Sequence, residues 1–240
     1  MITAVQEMQW KPPVTLMLLG VMYLLHVQVK RTPSVVLSFA LCPSNVLANK
    51  EIGTVLVAPF IHGEELHLYQ SMVSFLYKGF ELERRFGSIG FSLVLIYFIV
   101  LTQTLIVFIA HYVSMGAATR ECFTGFSGVL TAMKVLLNVN VPTFTKLYTF
   151  KVPTKYTTWL ELLVTYFFVP KLPIMAQAAG LIAGSIYIVT PKADALVRYA
   201  SKSIERSFIR MGLLERPLQW WQLWAKVVEY VRQKKRRRVA

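Results

Sequence analysis

The residues best suited to chemistry in this chain are Ser127 and the glycines around it, Gly125-Phe126-Ser127-Gly128, at the mouth of an apolar run. A serine on a tight turn that opens a helix can act as a nucleophile, with unpaired backbone N–H groups beside it to steady an oxyanion. Its hydroxyl is a poor nucleophile until a neighbouring base takes its proton. The four histidines are His26, His62, His67 and His111, so none follows Ser127. A nucleophile is present and its usual downstream base is missing.

The elements that must hold this serine are membrane helices. Hydrophobic residues make up 55% of the 240 positions and charged residues only 16%; mean hydropathy is +0.50. That balance places the chain among polytopic membrane proteins. Apolar stretches at about 14–29, 66–80, 91–113, 126–139, 158–170 and 173–190 predict six spans, an all-α bundle. Only the third comfortably reaches the roughly 20 residues that cross a hydrocarbon core. The shorter ones must be shielded by neighbours or sit in thinned membrane. The first connection, roughly 30–65, carries prolines but also VVLSFAL and VLVAPFI, and reads as a segment dipping into the membrane interface rather than a solvated loop.

Six spans put both termini on one side, and basic residues favour the cytosolic face. That side collects 20 of the 26 Lys and Arg, against five on the other, with Lys134 inside the fourth span. The domains expected are a membrane unit over 1–190 and a basic cytosolic tail over 191–240. The tail holds 13 basic and 4 acidic residues. In it Leu196, Ala200, Ile204, Phe208 and Met211 form one stripe, and Arg198, Lys202, Arg206 and Arg210 form another about 200° away around the helix. Such a helix lies along a membrane with its basic side toward anionic lipid headgroups, or packs on the cytosolic end of the bundle. Pro217, Trp220, Trp221 and Trp224 point to a second interfacial helix. Nucleic acid is not the expected partner of the closing KKRRR run, because a membrane-embedded chain meets lipid first. Cys42 and Cys122 fall on the same, non-cytosolic side, which permits a disulfide without requiring one.

Ala176, Gly180 and Gly184 set small residues at four-residue spacing on the sixth span, where another helix backbone can come close. GFSGVL at Gly125, HLYQSMVSFLYKGFELERRFGS from His67 to Ser88 and this stripe, in this order, resemble the rhomboid family of intramembrane serine proteases. The set looks most like the family's endoplasmic-reticulum branch, that of rhomboid-related protein 4, over about residues 50–190. The resemblance implies Ser127 as the nucleophile position and an oxyanion region at His67, Ser71 and Gly125. It also implies a histidine base on the sixth span, and matching the glycines puts Gln177 at that position. An amide can hydrogen-bond a hydroxyl but does not take a proton near neutral pH.

Other departures run the same way. Ser71 stands where the family has an asparagine, Thr131 where relatives often place an aromatic, and Ile52 and Thr54 near the family's Trp-Arg pair. Removing the base of a serine triad costs on the order of a millionfold in rate, and losing an oxyanion donor about a hundredfold more. His67 is either part of the inner cavity or a satisfied structural histidine, and His62 and His111 read as loop or interface residues. Glu83 and Arg84 are expected to fix the turn after the second span. Lys134 and Glu161 either pair or reach the interface.

The expectation is a rhomboid-like pseudoprotease that binds transmembrane segments of client proteins and affects their quality control, trafficking or degradation. The alternatives are an active rhomboid endopeptidase using another base, and a derlin-like component of degradation at the endoplasmic reticulum. No cofactor and no metal are expected. A cytosolic AAA unfoldase docking on the Arg-rich end is a further expected partner. The endoplasmic reticulum is the favoured address, and a Golgi address is compatible.

Overall fold

The computed structural model describes residues 11–32, 34–49, 53–113, 121–139, 144–147, 150–153 and 174–210. The order is α1 (Pro13–Arg31), α2 (Ser34–Phe39), α3 (Pro43–Asn49), α4 (Gly53–Val57), a 3-10 turn (Ala58–Phe60) and α5 (Glu65–Phe108), which closes in a π turn (Ile109–Val113). Then come α6 (Ser127–Asn138), strands β1 (Phe144–Leu147) and β2 (Phe150–Pro153), α7 (Ile174–Val189) and α8 (Ala193–Arg210).

The architecture is mostly helical. The strands pair antiparallel, Phe144 opposite Pro153 and Leu147 opposite Phe150, a small ribbon that the sequence reading does not foresee in an otherwise helical architecture. Phe144, Thr145, Phe150 and Val152 are residues that suit a pleated ribbon better than a helix.

Among the described residues two helices, α1 and α5 with its π turn, are long and apolar enough to cross a membrane, and α7 with α8 pass that test only as a pair bent by 85°. A straight helix of α5's 44 residues would measure about 66 Å, twice a hydrocarbon core. It is broken at Gly87, whose φ of 73° and ψ of 166° are non-helical. Only glycine takes that conformation without a side-chain clash. The break yields two runs matching the second and third apolar stretches. The stretch 158–170, Glu161 and everything beyond Arg210, including the tryptophans and KKRRR, lie outside the described residues. The count of six spans therefore rests on the sequence.

Glu83 lies fully buried before that break and holds the start of α1. Its carboxylate accepts the Val14 N–H (3.0 Å), the Thr15 N–H (2.9 Å), the Thr15 hydroxyl (2.8 Å) and the Ser88 hydroxyl (2.8 Å). Proline-led α1 has no side-chain cap of its own. The carboxylate satisfies free amides at the positive end of that helix, where a negative charge is favoured. Arg84 instead pairs with Glu81 at 2.7 Å on the surface. At the other end of α1, Lys30 pairs with Glu65, fixing α1 antiparallel to the first half of α5.

The core lies between α1, α5 and α6, around Met22, Phe75, Phe91, Phe98, Phe126 and Met133. A second cluster joins Leu41, Ala58, Ile106, Phe123, Ala176 and Ala179. The first connection is thus packed onto the bundle and is not a solvated loop.

Candidate functional site around Ser127

The segment that delivers Ser127 is pinned from three directions. Cys122 is disulfide-bonded to Cys42, settling a pairing that the sequence leaves open. Leu41 and Phe123 exchange backbone hydrogen bonds of 2.9 and 2.8 Å. Gly125 N–H donates to Ala58 O at 3.1 Å. Gly125 then turns the chain with φ +99°, and Ser127 starts α6 with no side-chain cap before it.

Gly125 is required twice over. Besides its φ, a Cβ there would sit 2.5 Å from His67 Cε1, so the imidazole stands directly against its backbone. His67 comes from the first turn of α5, and Ser71 follows one turn on, buried. His62 packs edge-on to His67, ring centroids 5.0 Å apart.

His62, read from sequence as a loop residue, does lie in a loop but is fully buried beneath the serine turn. Its Nδ1 lies 3.2 Å from Phe60 O, and its Nε2 accepts the Phe126 N–H at 3.4 Å. His26 Nδ1 donates in turn to His62 O at 2.9 Å. These contacts require a neutral imidazole with its proton on Nδ1. Burial foremost, then the charge of His67 and more weakly of His26, outweighs the Phe60 hydrogen bond and pushes the His62 pKa from 6.5 down to about 3. The burial of His62 and His26 is what the sequence reading does not foresee. The available signal was the α1 stripe Leu19, Met22, His26, Val29, which marks His26 as inward-facing.

On the other side α6 lies against α7. A Cβ on Gly128 would meet Ala176 O at 2.7 Å, and one on Gly180 would meet Gly128 O at 2.0 Å. The small-residue stripe Ala176, Gly180, Gly184 therefore faces α6, with Gly184 against Val135 and Ala132. The backbones touch at Gly128 and Ala176, and the residues next to them in sequence, Ser127 and Gln177, are both buried. Thr131 donates its hydroxyl to Ser127 O at 3.0 Å and leaves the serine side chain alone.

Ser127 Oγ is buried and has no hydrogen-bond partner among the described residues, and neither has His67 Nε2 or His26 Nε2. No imidazole nitrogen and no Gln177 amide bonds the hydroxyl. Thr54 is buried and Lys134 half-buried with a partner; Ile52 lies outside the described residues. His111 is exposed at the end of α5, its ring against Tyr112.

A short apolar helix that begins on a serine, seated backbone to backbone on a glycine-lined neighbour, defines an intramembrane serine-helix fold. Residues 49–192 match the Rhomboid domain, and the chain belongs to the rhomboid family. It is 32% identical over 190 residues to rhomboid-like protein 14, mitochondrial, of Arabidopsis thaliana, covering 76% of this chain and 57% of that one. To rhomboid-related protein 4 it is 37% identical over 147 residues in Mus musculus, 59% of this chain and 47% of that one. For the Homo sapiens protein the match is 35% over 187 residues, 75% and 58%. The chain spans about half the length of the curated relatives it matches.

Proposed function

We propose that this protein is a rhomboid pseudoprotease that binds transmembrane helices of client proteins and influences their quality control, trafficking or degradation. The observation that carries the reading is the isolation of Ser127 Oγ; beside it, the family resemblance assigns the base position to Gln177, an amide. A buried hydroxyl with no proton acceptor stays protonated. The retained frame then serves recognition. Along the first half of α5, Leu66, Tyr69, Val73 and Tyr77 share one exposed face, a ridge to which a client helix with small or polar residues can pack.

The Cys42–Cys122 disulfide supports an oxidising compartment on the face that carries it, which fits the lumen of the endoplasmic reticulum with both termini cytosolic. Delivery of clients to a cytosolic AAA unfoldase, in a derlin-like manner, belongs to the same reading. The runner-up is an active intramembrane endopeptidase, favoured by one observation: His67 Nε2 is also unpartnered and its ring rests two residues from Ser127.

The test installs a photo-crosslinking amino acid at Tyr69 or Tyr77 in cells and identifies what is captured. Intact membrane proteins crosslinked through their spans, equally by the wild type and Ser127→Ala, support the pseudoprotease. Client fragments produced by the wild type and absent with Ser127→Ala establish the endopeptidase.

A further inference from the structure

The chain turns sharply between α7 and α8. Thr190–Lys192 turn it, Lys192 in the left-handed region at φ 62°, and α8 leaves at 85° to α7. With α7 crossing the membrane, a helix at right angles to it runs in the membrane plane.

A three-way clamp fixes this angle. Asp194, in the first turn of α8, accepts from Arg85 at 2.6 Å and from the Tyr187 hydroxyl at 3.0 Å. Arg85 lies just before the Gly87 break and Tyr187 in the last turn of α7, so α5, α7 and α8 meet at one carboxylate. Val197 and Ser201 continue the contact onto Gly90. The docked face is therefore that of Asp194, Val197 and Ser201. What remains open is the basic stripe Arg198, Lys202, Arg206 and Arg210, all exposed. Leu196 and Tyr199, 64% and 70% exposed, border it.

We infer that α8 is a rigid interfacial anchor whose basic face binds anionic phospholipid headgroups on the side of the membrane where α5 breaks and α7 ends. Charge complementarity selects the occupant: four cations at one-turn intervals along an in-plane helix match a surface of acidic phosphodiesters. Leu196 and Tyr199 sit where an apolar side chain and an amphipathic ring meet acyl chains. The Asp194 clamp removes the ordering cost that a free tail would bear on meeting the surface. Each basic residue near an anionic leaflet adds about fivefold to binding, within a Debye length. This inference is independent of whether Ser127 is catalytic.

The test uses the full chain in lipid nanodiscs and follows amide hydrogen exchange across 193–210. One arm is phosphatidylcholine alone, and a second replaces about a third of it with phosphatidylserine, an anionic fraction high enough to charge the leaflet strongly. A third repeats the second at high salt, and a fourth adds soluble glycerophosphoserine to neutral discs. Exchange in α8 is expected to slow by about fivefold or more with phosphatidylserine. The slowing should vanish at high salt and in the variant Arg198→Gln/Lys202→Gln/Arg206→Gln/Arg210→Gln, and should not appear with the soluble headgroup. Asp194→Ala should speed α8 exchange in every lipid while leaving α1 unchanged. Equal exchange in neutral and anionic discs, or an undiminished lipid effect in the fourfold variant, overturns the inference. Protection by glycerophosphoserine alone overturns it as well, since the site would then read a free anion and not a surface.

Discussion

Two buried polar clusters sit at different places in this bundle, and they are built on opposite rules. At Glu83 every carboxylate contact is made: two backbone amides and two hydroxyls converge on it within 3.0 Å. At Ser127 the backbone is pinned by a disulfide, a β-bridge and His62, yet the side-chain oxygen and His67 Nε2 beside it have no partner. A buried polar atom without a hydrogen bond costs stability. The first cluster holds the fold together; the second is a vestige or a site, held in shape at a cost that the fold does not need.

That contrast can be broken at either end. Glu83→Ala should destabilise most, on the order of 4 kcal/mol, because it orphans the start of α1 and Ser88 at once; unfolding in mild detergent reads this out. Replacing both Cys42 and Cys122 by serine opens a loop of 80 residues, worth about 4 kcal/mol on chain entropy and less if the native state relaxes. Its local signature is faster hydrogen exchange at 121–126, ahead of α1. Gly180→Leu forces a side chain where Gly128 O already stands. It should cost about 1–3 kcal/mol by overpacking and separate α6 from α7, visible as faster hydrogen exchange along both helices.

Smaller effects follow at the serine turn. His62 has a folded-state pKa of about 3 against 6.5 unfolded. Its contribution is complete above pH 6.5 and falls by up to about 1.4 kcal/mol per pH unit as pH drops toward 3. Protonated, it can no longer accept the Phe126 N–H. Thermal unfolding between pH 7.5 and 5 should show this slope, flattened in His62→Gln. Ser127→Ala should be neutral or stabilise by up to about 1 kcal/mol, since it deletes an unsatisfied hydroxyl. A loss above 2 kcal/mol would mean that Ser127 has a structural partner and would end the comparison.

Much of this is legible in the sequence alone. Apolar runs long enough to pack both ways marked α1, both halves of α5, α6 and α7, and the spacing of Ala176, Gly180 and Gly184 marked the face of α7 that meets α6. The α8 stripes were equally plain, because helical periodicity is a local property. Contacts between distant segments were not. Two cysteines permit a pair without specifying it, and the Leu41–Phe123 bridge that aligns them leaves no trace in composition. His62 has no periodic neighbours to betray its burial. Glu83 was expected to serve its own turn, and it reaches instead to the start of α1, 68 and 69 residues away. Nothing local in the sequence marks Arg85 as a partner of Asp194, 109 residues away.

The central claim is that Ser127 has lost its proton acceptor. The direct measurement is labelling of the purified full chain in lipid by a serine-reactive fluorophosphonate, with Ser127→Ala beside it. The account predicts wild-type labelling no stronger than that of the alanine variant. A wild-type signal that maps to Ser127 and disappears in Ser127→Ala would contradict it.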